Sequence, residues 1–178
     1  MILRDNQRAN VVVRALIFRD DHLLVTQWTD GNAFCIGGRV EFGEPLIETL
    51  HREVREETGA EIIAYRLVYF AENIFTADDG LHYHEYGWYF WVEADRPVCR
   101  LDEVIPNPDH PDLAIRYLPV SEGGLHDFWP SFLRRYLPAD WPQQFAGAPR
   151  YLHSRDVGGG EAEVRELTGL FEKGEFRR

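Results

Sequence analysis

The residues with the clearest chemical potential lie in the stretch GGRVEFGEPLIETLHREVREETGA, which begins at Gly37. An α-helix advances by about 100° per residue, so Glu53, Glu56 and Glu57 fall within an arc of roughly 100° on a helix. Carboxylate oxygens are the ligands that Mg²⁺ prefers, and glycine lets a main-chain carbonyl approach an ion closely. These acids beside Gly37 and Gly38 have the donor atoms of a divalent-metal site, but their charge and clustering alone are by default those of a solvated acidic helix face.

A helix that positions these acids is predicted between Pro45 and Gly59. Proline is favoured at the first position of a helix, and glycine is favoured just past its last residue. Leu46, Leu50 and Val54 recur every four residues and form one apolar stripe at helical spacing. We expect the stripe to be buried, with the acids at its rim.

The same segment resembles the Nudix box, the signature of the Nudix hydrolases. That pattern is Gly, five residues of any type, Glu, seven of any type, Arg-Glu-aliphatic, any, Glu-Glu, any, Gly and an aliphatic residue. The matching residues are Gly38, Glu44, Arg52, Glu53, Val54, Glu56, Glu57 and Gly59. Ala60 is a weak aliphatic at the last position, and Ile36 stands where many relatives have proline before the glycine pair. Neither departure removes a chemical group.

The resemblance implies hydrolysis of a diphosphate bond in a nucleoside diphosphate linked to another moiety, with Mg²⁺ or Mn²⁺ as cofactor. The expected metal ligands are the carboxylates of Glu53, Glu56 and Glu57 and the carbonyl of Gly37. Glu53 is also the expected general base, because a free glutamate oxygen can take the proton of an attacking water. Arg52 is expected to orient a carboxylate. Glu44 and Gly59 are expected to hold the loop and the helix end.

Several alternatives stay open at this stage. The general base of such enzymes can lie on a later loop, where Glu103, Asp109 and Asp112 are candidates. A nucleotide-sensing Nudix domain without turnover is a second interpretation, and an isomerase using Cys35 or a histidine is a third. The box acids are all present, which favours the enzyme. Because the motifs of several Nudix subfamilies are absent, we expect a nucleoside triphosphate or a nucleotide-linked metabolite as substrate.

Residues outside the box give weaker indications. Candidates for substrate binding are Arg39, His84 and Trp88. His82 and His84 lie on the same side of a predicted strand, but a zinc site needs at least a third ligand. Histidines that are hydrogen-bonded in a strand, or that contact substrate, are the preferred interpretation.

The remaining segments indicate how the box is held. Strands are predicted at residues 11–18, 22–28, 33–36, 61–75, 81–94, 113–120 and 151–157, and a second helix at residues 128–137. A polar, proline-rich connection occupies residues 102–112. This mixture predicts an α/β fold, specifically a Nudix-type α/β/α sandwich with a mixed β-sheet.

The domain boundary is predicted near residue 157. Residues 1–157 would form a single Nudix domain, followed by a glycine hinge and a C-terminal tail at residues 158–178. In the tail Val164, Leu167 and Phe171 recur at helical spacing, so we expect the tail to be helical or mobile.

The composition of the chain limits the binding partners and the cellular location that we expect for the protein. The net charge of −11 argues against nucleic acid as a partner, so the expected partner is a small-molecule nucleotide. Two cysteines, Cys35 and Cys99, are too few for a disulfide framework. Arg14 interrupts the apolar run at residues 11–18, and no run reaches the ~20 residues needed to span a bilayer. We expect a soluble cytoplasmic protein without membrane contact, and homodimerisation stays open.

Overall fold

The computed structural model describes residues 2–77, 79–147, 149–158 and 161–167 of the 178-residue chain. The strands are β1 (Ile2–Arg4), β2 (Gln7–Arg19), β3 (His22–Gln27), β4 (Ala33–Cys35), β5 (Ile62–Thr76), β6 (His82–Ala94), β7 (Val104–Pro106), β8 (Ala114–Pro119), β9 (Phe128–Trp129), β10 (Arg150–Gly158) and β11 (Glu161–Glu166). The helices are α1 (Leu46–Thr58), α2 (Phe132–Asp140) and a short 3-10 helix (Trp141–Gln143). Each strand predicted from the sequence and both predicted helices are present, with boundaries shifted by a few residues.

Two sheets meet at strand β2. The first has the order β11-β10-β5-β6-β2 and is mixed, because β2 and β6 are parallel while β5 and β6 are antiparallel. The second runs β7-β8-β3-β4-β9 and joins β2 through a hairpin in which Phe18 pairs with Leu23. The prediction of a mixed sheet is confirmed.

Strand β2 separates two apolar cores, because neighbouring side chains of a strand face opposite sides of the sheet. Leu16 is buried in the core that includes Leu133 of α2. Ala15 is buried in the other core, with Leu50 and Val54 of α1. The two helices therefore cover opposite faces, and the predicted α/β/α sandwich is confirmed.

Helix α1 has the ends that the sequence predicts. Pro45 is the extended residue just before the first turn, with φ −66° and ψ 147°. Gly59 adopts the left-handed conformation at φ 67°, and its N–H donates to the Arg55 carbonyl at 2.8 Å. Glycine reaches this conformation without steric penalty. Helix α1 therefore ends at Thr58, directly after the box acids Glu56 and Glu57.

The helical prediction for the tail is wrong over residues 161–166. These residues form β11, which pairs antiparallel with β10, for example through Val164 and Ser154. Ala162 and Val164 are partly buried while Glu161 and Glu163 are exposed, which is the period of two typical of a strand. Phe171 of the predicted helical stripe lies outside the described residues, and the domain boundary near residue 157 stays a prediction.

Within the described residues, no helix is both long and apolar enough to cross a bilayer. The cytoplasmic location and the oligomeric state stay predictions.

Candidate active site

One guanidinium gathers three carboxylates of the box. Arg52 Nη1 donates to Glu53 Oε1 and to Glu56 Oε2, each at 2.9 Å. The same side chain makes a bidentate pair with Glu44, from Nε at 2.9 Å and from Nη2 at 3.0 Å. Charge-assisted bidentate pairs are among the strongest and most directional hydrogen bonds in proteins. Arg52 therefore holds together acids that would otherwise repel one another.

Glu44 is the anchor of this arrangement. Hydrogen bonds from Arg52, and then from Thr49 Oγ1 at 2.7 Å, hold the pKa of Glu44 at about 2. A carboxyl group with such a pKa is ionised at neutral pH. It therefore provides an anion that fixes the guanidinium of Arg52 beside helix α1.

Glu57 connects α1 to three other parts of the fold. Its carboxylate is almost fully buried, with the residue 4% exposed. Oε1 accepts from the N–H of Gly37 at 2.7 Å, while Oε2 accepts from Thr26 Oγ1 at 2.7 Å and from Asn107 Nδ2 at 3.0 Å. A buried carboxylate needs such donors to remain in place. Asn107, in the loop after β7, was not singled out by the sequence.

Gly38 leaves room for the carboxylate of Glu53. A Cβ atom at Gly38 would lie 2.5 Å from Glu53 Oε1 and 2.7 Å from its Cδ. Burial raises the pKa of Glu53, and the hydrogen bond from Arg52 opposes that shift. The result is a partly buried carboxylate packed against the glycine turn, with a proton affinity above that of an ordinary glutamate.

Gly37 has a backbone conformation that few other residues adopt. Its φ is +123°, and a Cβ atom there would lie 2.3 Å from the Val13 carbonyl oxygen. Its own carbonyl oxygen accepts a hydrogen bond from Arg14 Nη1. A carbonyl oxygen has two lone pairs, so a second ligand can share this one. Arg14 was not singled out by the sequence either.

Comparison with known proteins decides the family. The family model described as the NUDIX domain matches residues 8–139. The chain belongs to the Nudix family. Nudix hydrolases are pyrophosphohydrolases that generally act on nucleoside diphosphate-linked substrates and use divalent metal cations. No curated protein gives a match.

Solved structures share the fold of this Nudix hydrolase. The mutator MutT protein from Bacillus halodurans has a TM-score of 0.59 and 16% identity, covering 88% of this chain and 97% of that one. A MutT structure from work on Aliivibrio salmonicida and Vibrio cholerae has a TM-score of 0.53 and 18% identity, covering 74% and 98% of the two chains. A NUDIX hydrolase from Nitrosomonas europaea has a TM-score of 0.51 and 22% identity, covering 77% and 90%. At these identities the likeness concerns the fold.

The donor atoms of the Nudix box fit a divalent cation. Glu53 Oε1 and Glu56 Oε2 both accept from Arg52 Nη1 at 2.9 Å, so a cation bound between these two carboxylates would use their other oxygens. The space that a side chain at Gly38 would fill is taken by the Glu53 carboxylate. Carboxylate and carbonyl oxygens are the donors that Mg²⁺ and Mn²⁺ prefer. Across residues 2–77, 79–147, 149–158 and 161–167, no three His, Cys, Asp or Glu side chains are preassembled at metal-binding spacing.

The loop acids considered as alternative bases have different surroundings. Glu103 accepts from the N–H of Arg100 at 3.0 Å, within its own turn. Asp109 follows Asn107 by two residues, and the Asn107 side chain accepts from its N–H at 2.9 Å. Asp112 is exposed. Of the three, Asp109 is therefore in the loop segment that contacts Glu57.

Of the three substrate-binding candidates, Arg39 directly follows the glycine turn, and Trp88 packs against the core that contains Leu50 and Val54 of α1. Arg39 is exposed, and its carbonyl accepts from Arg52 Nη2 at 3.3 Å. His84 and Trp88 lie on one face of β6, while Glu85 between them faces the opposite side. His84 interacts with Glu72 at 3.2 Å, and His82 with Thr76 at 2.9 Å, so the two histidines have separate partners.

A cavity of about 570 Å³ opens beside the Gly37 turn on the α2 side of the sheet. Arg14 and Cys35 line it, and Arg14 also reaches the Gly37 carbonyl, so the cavity borders the box. Other residues that line it include Phe34, Asn73, Phe75, Glu85 and Trp129. Cavities of about 300–1,000 Å³ with aromatic walls and a few polar groups are typical of small-molecule sites.

Cys35 is not set up as a nucleophile or proton donor. Burial raises the pKa of its thiol to about 12. The reactive form of cysteine is the thiolate, which this environment disfavours at neutral pH. The geometry therefore gives no support to an isomerase based on Cys35.

Proposed function

We propose that this Nudix hydrolase cleaves the diphosphate bond of a nucleoside triphosphate or a nucleotide-linked metabolite with Mg²⁺ or Mn²⁺. The observation that carries the proposal is the arrangement around Arg52, which collects Glu44, Glu53 and Glu56 beside the Gly37 and Gly38 turn. An acidic face that was merely solvated would not need this internal cation or the buried third acid, Glu57.

The roles of the residues follow from their positions. In this proposal the metal ligands are Glu53, Glu56, Glu57 and the carbonyl of Gly37. A bound divalent cation would neutralise phosphate charge and lower the pKa of a nearby water. Arg52 keeps the carboxylates oriented, and Glu44 keeps Arg52 in place.

Glu53 is the proposed general base. Its Oε1 accepts from Arg52, and Oε2 lies 2.7 Å from where a Cβ atom at Gly38 would be, so both oxygens lie against the glycine turn. Its raised pKa, caused mainly by burial, makes it a better proton acceptor than an exposed glutamate. Asp109 is the alternative if Glu53 serves only as a ligand, because Asp109 lies in the loop that contacts Glu57.

A nucleotide panel tests this function directly. We expect release of phosphate or pyrophosphate from at least one nucleoside triphosphate or nucleotide-linked metabolite when Mg²⁺ or Mn²⁺ is present, and no release when EDTA removes the metal. Ion chromatography of the products would identify the bond that breaks. If no member of a broad panel is cleaved while nucleotides still bind, the nucleotide-sensing interpretation replaces the enzyme.

A further inference from the structure

Strand β11 lies at one end of the first sheet. It pairs with β10 on one side, and within the described parts of the chain no strand pairs with its other side. The backbone N–H and C=O groups along such an edge can form hydrogen bonds with a further strand, which is why proteins usually cover, shorten or charge their edge strands. The edge of β11 is therefore a surface on which another strand can be added.

The pairing with β10 decides which residues of β11 direct their backbone groups toward this edge. The N–H of Leu167 donates to the Tyr151 carbonyl at 2.8 Å, so the backbone of Leu167 faces β10. In an antiparallel ladder, alternate residues direct their N–H and C=O groups to the same side. The residues of β11 whose backbone groups point away from β10 are Ala162, Val164 and Glu166.

The side chains of β11 carry charges of both signs on one face. Glu163 and Arg165 are exposed, while Ala162 and Val164 lie on the opposite face and are partly buried. Arg155 of β10 lies across from Glu163 in the register. Among the residues that the structure describes, however, neither Glu163 nor Arg165 has an ion-pair partner for its side chain. Both charges are therefore available to a strand that adds to the edge.

We propose that β11 pairs antiparallel with β11 of a second copy of this chain, with the twofold axis at Val164. In this register the two Val164 residues exchange backbone hydrogen bonds, and Ala162 of each copy pairs with Glu166 of the other. Glu163 of each copy then lies directly opposite Arg165 of the other, because the symmetry repeats every contact. Side chains come closest in such pairs without backbone hydrogen bonds, and opposite charges there stabilise the pairing.

Other positions of the twofold axis within β11 bring like charges together. A charged residue would face its own copy if the axis fell on it, which applies to Glu161, Glu163, Arg165 and Glu166. An axis at Ala162 would set Glu161 of each copy against Glu163 of the other. The axis at Val164 is the one position within residues 161–166 that sets no like charges opposite each other. The charge pattern therefore selects both the partner and the register.

A groove beside β11 leaves room for the second copy on the α2 side of the sheet. Its volume is about 540 Å³, and Ala162, Val164, Arg135 and Pro138 are among the residues that line it. Residues directly opposite each other on adjacent strands direct their side chains to the same face. The two Val164 side chains would therefore meet on this face and become more buried. Glu166 of the second copy would lie opposite Ala162, on the face that carries Arg135.

The mass of the protein in solution tests the inference independently of any hydrolysis. The paired strands are short, and interfaces that bury less than about 1,200 Å² are typical of transient complexes, so we expect a weak dimer. In analytical ultracentrifugation, the weight-average mass should rise with protein concentration from that of the monomer toward twice that value. A monomer at every concentration would overturn the inference.

Reversal of single charges distinguishes this register from any other contact. Arg165→Glu sets acids against acids across the axis, and Glu163→Arg sets bases against bases. Each variant alone should therefore associate at least about 10-fold more weakly than the parent. In a mixture of the two variants, opposite charges again face each other at both positions, so the mixture should form the dimer that neither variant forms alone. Arg100→Glu makes an equal change of charge in an exposed turn between β6 and β7, and it should leave association unchanged.

Val164→Pro tests the backbone hydrogen bonds of the proposed dimer. Proline is tolerated on edge strands where its missing N–H would face solvent, and the N–H of Val164 points away from β10. The variant should therefore keep the β10–β11 hairpin but associate more weakly than Val164→Ala, which retains the N–H. Circular dichroism would show that each variant is folded.

Two further results would overturn the inference. One is a dimer that persists in both Arg165→Glu and Val164→Pro, because the contact would then lie elsewhere on the surface. The other is a mixture of folded Arg165→Glu and Glu163→Arg that stays monomeric while the parent dimerises. The concentration dependence of the parent mass remains decisive even if a variant does not fold.

Discussion

Replacement of Glu53 by glutamine is expected to lower kcat by about 10²–10⁴, the usual contribution of a general base. The substitution keeps the size of the side chain and its hydrogen bond with Arg52, but it removes the proton acceptor and one negative charge. Weaker metal binding would add to the loss, so high Mn²⁺ should restore activity only in part. Initial rates at increasing metal concentration would separate the two effects.

Glu48→Gln is the matched control for this experiment. Glu48 lies in the first turn of the same helix and is exposed. Loss of its charge should change stability by less than about 1 kcal/mol and leave kcat within about twofold. If Glu53→Gln retains the parent kcat at saturating metal, Glu53 is not the base, and Asp109 becomes the first residue to replace.

Gly38→Ala is expected to reduce kcat by about 10² while leaving the fold nearly intact. The new methyl group would occupy the position of the Glu53 carboxylate, 2.5 Å from Oε1. The end of a flexible side chain can move away, but a displacement of about 1 Å at a catalytic group can lower the rate by about 10². Thermal unfolding beside steady-state kinetics would show whether activity falls without a matching fall in Tm.

Gly37→Ala provides the contrast. Its Cβ atom would meet the backbone carbonyl of Val13 at 2.3 Å, and its φ of +123° is strained for alanine. Backbone strain and overpacking together should destabilise the fold by about 2 kcal/mol or more. If Gly38→Ala kept full activity, or lost it only in proportion to unfolding, the placement of Glu53 against Gly38 would be wrong.

The sequence predicts helix α1 well because all of its determinants are local. Pro45 and Gly59 mark its ends, and Leu50 and Val54 mark its buried side. The three box acids follow from the same geometry. The ion pairs of Arg52 within the helix follow as well, since Glu56 is one helical turn away and Glu53 is its neighbour.

Other parts of the site depend on residues that the fold brings together from far along the chain. Asn107 is 50 residues from its partner Glu57, and Arg14 is 23 residues from Gly37. Asn107 has no local pattern that distinguishes it from an ordinary surface side chain, and the position of Arg14 within an apolar strand does not reveal its partner. The cavity is assembled in the same way from β2, β4, β5, β6 and β9, so its lining was not predicted.

Two further differences between prediction and structure concern the spacing of apolar residues in the tail and the face of β6 on which a side chain lies. Val164 and Leu167 are three residues apart, which suits a helix, but Ala162 and Val164 also alternate with exposed charges as in a strand. Pairing with β10 decides between the two patterns. On β6, the apolar residues occupy both faces, so the sequence did not show that Glu85 rather than His84 faces the cavity.

The position of a bound Mn²⁺ ion tests the proposed metal site most directly. Crystals grown with Mn²⁺ should give an anomalous difference peak at coordination distance, about 2.0–2.5 Å, from carboxylate oxygens of Glu53 and of Glu56 or Glu57. The Gly37 carbonyl should be a further ligand of that ion. A principal peak elsewhere, for example between His82 and His84, would contradict the assignment of the box as the metal site and with it the proposed mechanism.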